Sequence, residues 1–316
     1  MAILSLVREF HAPVEAVGVV PLVSIVVPNF NGRQLLKECL DSIKNLHYEN
    51  YEVIVVDNSS TDGSADMVRM HYPWAVLLVT ERIKMAQACN KGLALAKGDI
   101  IVTMLNNDMT VDKNWLDQQV MILARGEVGI VGGKIYDYGS DIIQTAGGMV
   151  NWKSGWSIRI GHGERDKGQY DLLREVDYVD VPTVRRDVVN RIGAIDEEYS
   201  FYYTDVDYCV RAKKAGYRVI YAPSAKMWHR SSATVGANSL RQYCSYQKDS
   251  MRFLMKNSSS SLVLYHLFRR TIATLIELSF SMSRKRPIEM RMQIAAMIWN
   301  LIRLPQTMRS RGKLPL

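Results

Sequence analysis

Twice early in this chain an unbroken apolar run stops abruptly on acids and amides. Val53-Ile54-Val55-Val56 enters Asp57-Asn58-Ser59-Ser60-Thr61-Asp62-Gly63-Ser64, and Ile100-Ile101-Val102-Thr103-Met104-Leu105 enters Asn106-Asn107-Asp108. Runs of this kind are strands buried on both faces, as in parallel sheets flanked by helices. In such open sheets ligands bind at the carboxyl ends of the strands, where the loops part and the next helix aims its N-terminus at the opening. Two acidic strand ends in one sheet point to a site for a nucleotide and a metal-bridged diphosphate.

The surrounding pattern agrees. Leu22 to Val27 reads as a first strand stopped by Pro28-Asn29-Phe30-Asn31-Gly32, and Leu35, Leu36, Cys39, Leu40 and Ile43 then recur at helical spacing. A strand over Tyr51 to Val56, a helix from Ser64 to Arg69, a strand over Ala75 to Thr80, a helix over Met85 to Lys97 and a strand over Asp99 to Leu105 follow. The expected class is therefore α/β, with a mostly parallel mixed central sheet. Past Asp108 a helix (Trp115 to Arg125) and a strand (Val128 to Val131) precede a Gly, Trp and Tyr-rich stretch, Gly132 to Tyr170. It lacks a clean period and reads as a functional loop or lid. A strand over Val176 to Val184, a short helix ending at Gly193, a helix from Asp205 to Ala215 and a strand over Tyr217 to Ala222 complete the pattern, leading to Lys226-Met227-Trp228-His229. The expected divisions are an N-terminal arm (1–21), a domain over 22–237 with a nucleotide half (22–108) and an acceptor half (109–237), and a basic amphipathic helical region (238–316).

The net charge of +8 is confined to one end. Residues 258–316 hold ten Lys or Arg against Glu277 and Glu289, a surplus equal to that of the whole chain, so residues 1–257 are neutral. A nucleic-acid protein would carry its basic stripe on the folded face, and none is expected as a partner here. An anionic membrane surface suits the basic tail better. Ile294, Met297, Ile298 and Leu301 form an apolar helical stripe flanked by Arg291 and Arg303, while Arg269, Arg270 and Glu277 interrupt the run from Leu262 to Phe280. The tail is expected to lie on a membrane rather than cross it; the other reading packs it on the body or on a second copy in a homo-oligomer. Cys39, Cys89, Cys209 and Cys244 show no paired spacing, and the apolar piece Ile3 to Val7 is too short for a signal peptide. The expected location is cytoplasmic, peripheral on the inner face of the cell membrane.

The ordered set Val27-Pro28-Asn29-Phe30-Asn31, Val55 to Ser64, Asn106-Asn107-Asp108, Asp196-Glu197 with Tyr203-Thr204-Asp205-Val206-Asp207, Gly216-Tyr217 and His229 resembles the family 2 glycosyltransferases. That resemblance covers roughly residues 22–235 and implies an inverting enzyme with the GT-A nucleotide-sugar fold; the wording is most similar to the rhamnosyltransferase-type branch that builds cell-surface glycans. It implies a UDP- or dTDP-sugar donor and a glycan or polyprenyl-linked acceptor. By resemblance Asp57 bonds the pyrimidine base, Pro28, Asn29 and Asn31 line its pocket, and Asp62 and Asn107 lie on the same side. Asp108 and His229 would hold a divalent metal, Mn2+ or Mg2+, that neutralises the leaving diphosphate. Asn106 stands where the metal motif usually begins with an acid.

Inversion needs one carboxylate on the acceptor side to take the attacking hydroxyl's proton, and Asp205 matches the family's catalytic Asp. Thr204 replaces the usual Glu before it. Thr204 and Asp207 also have the spacing of a capping box, and a helix start is expected to keep Asp205 ionised. Asp196 and Glu197 are expected to orient the acceptor or the loop. Arg82 and Lys84, in a segment where relatives read Asn-x-Gly-Phe-Ala, either hold a phosphate or acidic sugar or are solvated. The Gly-Ala pair expected before Arg185-Arg186 is replaced by Val181-Pro182-Thr183. Two rival readings are a catalytically degenerate nucleotide-sugar binder or scaffold, suggested by Asn106 and Thr204, and a sugar nucleotidyltransferase. The latter lacks support, since Pro28-Asn29-Phe30-Asn31-Gly32 is not a Gly-rich loop bearing Arg and Lys. No Gly-x-Gly-x-x-Gly follows the first strand, which speaks against a dinucleotide enzyme.

Overall fold

The computed structural model describes residues 20–153, 155–230, 240–269 and 301–309, together with Ile272 and Ile298. The first half alternates as expected: β1 (Val23–Asn29), α1 (Arg33–Lys44), β2 (Tyr51–Asp57), α2 (Ser64–His71), β3 (Val76–Val79), α3 (Met85–Leu95) and β4 (Ile100–Val102). Then come β5 (Met109–Val111), α4 (Trp115–Leu123), β6 (Val128–Asp137), β7 (Ile143–Thr145), β8 (Gly148–Asn151), β9 (Trp156–Arg159), β10 (Arg174–Glu175) and β11 (Thr183–Arg185). The remaining elements are α5 (Arg186–Ile192), α6 (Thr204–Lys214), β12 (Arg218–His229), α7 (Leu240–Asn257) and α8 (Leu304–Arg309).

The main sheet runs β10-β12-β6-β11-β4-β1-β2-β3, with β5 added on β12 and β7 on β6. β4, β1, β2 and β3 are parallel, β12 is parallel to β6, and β11 enters antiparallel between β4 and β6. The carboxyl ends of β1, β2 and β4 thus share one edge of the sheet, and the segment entering β11 starts from it: Thr103 N–H donates to Pro182 O at 3.2 Å.

Two expectations are corrected. The stretch from Gly132 is no irregular lid: β6 continues to Asp137, β7 pairs with it and β8–β9 form a hairpin. Its glycines serve close packing, since a Cβ on Gly133 would lie 1.9 Å from Ala225 O on β12. The single strand expected over Val176 to Val184 does not form, because Val181 takes a left-handed φ of 53°. Beyond residue 237, α7 packs into the same core: Phe253 and Leu254 are buried with Tyr199, Tyr203 and Val206.

Polar anchoring of α7 is equally firm. Asp249 accepts the backbone N–H groups of Ser200, Phe201 and Tyr202, each at 3.0 Å. Arg252 donates to Thr307 Oγ1 of α8 at 3.0 Å. Residues 260–269 form a further helix whose His266 Nε2 lies 2.9 Å from Trp152 O at the hairpin tip. Leu264 and Phe268 of that helix point outward, 68% and 66% exposed. Most of the arm, and Arg291, Ile294 and Met297 of the tail stripe, lie outside the described residues. No described helix is long and apolar enough to cross a membrane.

Candidate active site

At the nucleotide end β1 and β2 run in register to their last residues, Asn29 opposite Asp57. Both side chains are buried. Asn29 Nδ2 donates to Asp57 Oδ2 at 2.9 Å and to Ser60 Oγ at 3.2 Å, and Asn29 Oδ1 accepts from Asn107 Nδ2 at 2.6 Å. One amide thereby fastens three strand ends together. Gly32 makes this possible, since a Cβ there would lie 2.2 Å from Asn107 Nδ2. Asp57 Oδ1 accepts Ser60 N–H at 2.9 Å, while Asn31, with φ 47°, accepts Thr61 N–H at 2.8 Å.

Asp62 accepts Arg33 N–H at 2.8 Å and Ser64 N–H at 3.0 Å, joining the starts of α1 and α2. Burial opposes its ionisation, but these bonds and one from Ser64 Oγ outweigh it and hold the carboxyl below its ordinary value. Pro28 is buried in β1. Of the two cations near this end, the Arg82 guanidinium lies 3.1 Å from the centroid of the Phe30 ring, and Lys84 donates to Glu197 O at 3.0 Å. Glu197 also accepts from Asn90 of α3 at 2.9 Å, so both contacts tie it to that helix and its N-cap.

Asp108 and His229 meet where β5 pairs with the end of β12. His229 Nε2 lies 3.2 Å from Asp108 Oδ1, and that buried oxygen receives no hydrogen bond. Gln144 explains why. Its Nε2 donates to Asp137 Oδ1 at 2.7 Å and to His229 O at 3.2 Å, which fixes the amide and turns Oε1 toward His229 Nδ1 at 2.9 Å. Nδ1 then carries a proton, so that a ring with a single proton would present its Nε2 lone pair to Asp108. In that form two acceptors would face each other, an arrangement that a cation between them resolves. A hard ion with ligands at about 2.1 Å and right angles spaces its donors about 3 Å apart, so the pair fits Mn2+ or Mg2+. Among the described residues no group of three or more His, Cys, Asp or Glu gathers around the pair. Gln144 was not foreseen, because a lone Gln carries no motif.

Asp205 opens α6 beside a second carboxylate. Asp180 lies within hydrogen-bonding reach of Asp205 and is held by Arg159 of β9, whose Nη2 donates to Asp180 Oδ1 at 2.8 Å. Burial first, then the Asp180 charge, raises Asp205 to about 7, against the opposing pull of Arg159 and the Val206 N–H. The expectation of a carboxylate kept ionised by the helix start is thus overturned. A helix terminus supplies about 0.3–1 kcal/mol, less than one pKa unit. Burial with a like charge alongside outweighs that.

No capping box forms either. The N-cap is Tyr203, at φ 62°, with no side-chain cap, and buried Thr204 is the first helical residue. Asp207 instead accepts from Arg211 Nε at 2.9 Å, Lys256 Nζ at 2.8 Å and Asn257 Nδ2 at 2.8 Å. Although burial opposes ionisation, Lys256 and Arg211 hold it far below the usual carboxylate range. Asp196 joins the same cluster through Arg252 at 2.9 Å and Lys256 at 2.8 Å, so its carboxylate anchors α7. Trp156 of β9 stacks on Tyr246 of α7 at 5.6 Å, and Ser157 N–H donates at 3.4 Å to the OH of Tyr203, two residues before Asp205.

Residues 24–180 match the family model described as Glycosyl transferase family 2. The chain carries a family 2 glycosyltransferase domain. It is 30% identical over 231 residues to the O-antigen biosynthesis protein RfbC of Myxococcus xanthus, a match covering 70% of this chain and 18% of that protein. Another curated relative, an uncharacterized protein of Sinorhizobium fredii, is 30% identical and is spanned over 25% of its length. The mannosyltransferase PcManGT of Pyrobaculum calidifontis, solved with GDP-Man and Mn2+, superposes with a TM-score of 0.55 at 20% identity, over 93% of this chain and 92% of that one. TarS 1–349 of S. aureus gives 0.54 at 15%, over 92% and 83%. The fold is accordingly GT-A, with a mostly parallel central sheet.

Proposed function

We propose that the chain is an inverting, metal-dependent glycosyltransferase that moves a sugar from a UDP- or dTDP-sugar to a hydroxyl of a lipid-linked or cell-surface glycan. The observation that carries this reading is the pairing of Asp108 Oδ1, buried and without a hydrogen bond, with His229 Nε2 3.2 Å away. Asn106-Asn107-Asp108 leads from the same sheet edge on which Asn29 and Asp57 end. The RfbC relative, named for O-antigen biosynthesis, and the Mn2+ in the PcManGT complex support it.

In this mechanism Asp108 and His229 hold the metal, which when bound offsets charge developing on the leaving diphosphate. Asn29, Asp57 and Asn31 receive the nucleoside. The acceptor hydroxyl attacks the anomeric carbon from the face opposite the diphosphate, its proton passes to Asp205, and the bond to the diphosphate oxygen breaks with the electron pair leaving on that oxygen. The aromatic faces of Trp156 and Phe201, 39% and 42% exposed, suit a sugar ring beside Asp205.

A screen of UDP- and dTDP-sugars for released nucleoside diphosphate, with Mn2+ or Mg2+, tests this and the rhamnosyltransferase-like branch. Tight metal-dependent binding with neither hydrolysis nor transfer would instead favour the degenerate binder. The basic surplus of residues 258–316 and the outward Leu264 and Phe268 support an anionic membrane surface as partner. Liposome flotation of the full chain carrying Leu264→Glu and Phe268→Glu is expected to show lost binding, and unchanged flotation would remove the membrane from the reading.

A further inference from the structure

Two carboxyls in contact resist carrying charge together. Asp180, which immediately precedes Val181-Pro182-Thr183, lies within hydrogen-bonding reach of Asp205. Its Oδ1 is taken by Arg159 Nη2 at 2.8 Å, and its Oδ2 is buried and receives no hydrogen bond. A proton on Asp205 would supply the donor that Oδ2 lacks.

The backbone on both sides is held in an unfavourable conformation to bring the two together. Val181, next to Asp180, has φ 53°, and Tyr203, two residues before Asp205, has φ 62°. A left-handed β-branched residue is a genuine outlier, and such outliers gather at functional sites.

We propose that Asp180, clamped by Arg159, is a positioning residue that sets the proton state of Asp205 for acceptor activation. This rests on the reading of Asp205 as the base. At low pH the pair shares a proton and Asp205 cannot accept another from the acceptor. As the pH rises the pair releases that proton to solvent, and Asp205 is then free to take the hydroxyl proton while the glycosidic bond forms and the diphosphate departs with its electron pair. Among the described residues, Tyr178 on the segment before β11 and Cys209 on α6 itself also feel the Asp205 charge, and burial chiefly pushes both well above their ordinary values. Arg159 supplies the opposing positive charge from β9.

The decisive experiment is the pH profile of kcat/KM for the full chain and two variants with opposite expected effects. In Asp180→Asn the acid limb moves to lower pH by roughly 1 to 2 pH units, because the like charge is gone. In Arg159→Gln it moves to higher pH, because the cation is gone. Lowered rates with unmoved limbs in both variants would mean a merely structural role and would overturn the proposal. The same variants are followed by carbon NMR of the Asp205 carboxyl, which needs no turnover and reads the same opposite displacements. Should Asp205→Asn keep normal turnover, the base assignment falls, and the NMR titration still decides whether Asp180 governs Asp205.

Discussion

His229 Nε2 faces Asp108 Oδ1 across 3.2 Å, and Gln144 Oε1 lies 2.9 Å from Nδ1 on the far side of the ring. On the proposed reading Gln144 orients the ring toward a cation shared with Asp108. Gln144→Ala frees the imidazole to rotate or change tautomer. The affinity of the chain for Mn2+ in the presence of UDP is expected to drop roughly 10–100-fold. Calorimetric titration checks this, and an unchanged affinity would remove Gln144 from the site.

Asp205→Asn leaves the side chain's size but not its basicity. Transfer should fall by at least about 10²–10⁴-fold while UDP binding stays intact, because Asn29 and Asp57 lie on other elements. Nucleoside diphosphate release and calorimetry measure the two separately. Normal turnover would refute the base assignment.

The raised Asp205 carboxyl has a stability signature. Its folded value lies above its unfolded one, so its contribution is complete below about 3.8 and is lost as the pH rises through about 7. Asp207, held below its ordinary value, works the other way and loses its contribution as the pH falls below the unfolded value. Urea midpoints of the chain and of Asp205→Asn should therefore diverge between about 3.8 and about 7, the unmutated chain losing ground as pH increases. Parallel curves would mean that Asp205 titrates alike in both states.

Lys256 bridges Asp196 and Asp207 from α7, at 2.8 Å to each. Lys256→Met strands buried negative charge and is expected to cost about 3–5 kcal/mol, whereas adding Asp207→Asn to the same chain recovers part of the loss. Denaturant unfolding of the single and double variants checks this. A loss under about 1 kcal/mol in the single variant would show that solvent reaches the cluster.

The nucleotide half of the fold was readable because its strands are apolar runs of fixed length that end in turn-forming acids and amides, and period and punctuation are local properties. That Asp108 and His229 meet was expected only through the family resemblance, each standing at a strand end inside one of its phrases. Gln144, Arg159 and Asp180 were not, since a positioning group is defined by what lies across space from it and no spacing along the chain records that. The glycines of β6 misled for a related reason. Gly133 gives way to Ala225, about ninety positions later, yet in sequence it resembles a turn residue. The capping-box pattern at Thr204 and Asp207 failed because cations on α7 and α6 compete for Asp207 more strongly than a backbone N–H does.

The grip of Asp249 on the backbone of residues 200–202 has a consequence for biosynthesis. The peptide that leads into Asp205 is fastened by a helix made after it, so a nascent chain ending near residue 230 has translated every described strand but leaves that peptide unmoored. On the proposed reading, competence at Asp205 arrives only once α7 has left the ribosome, and a fragment released before it would be left without it.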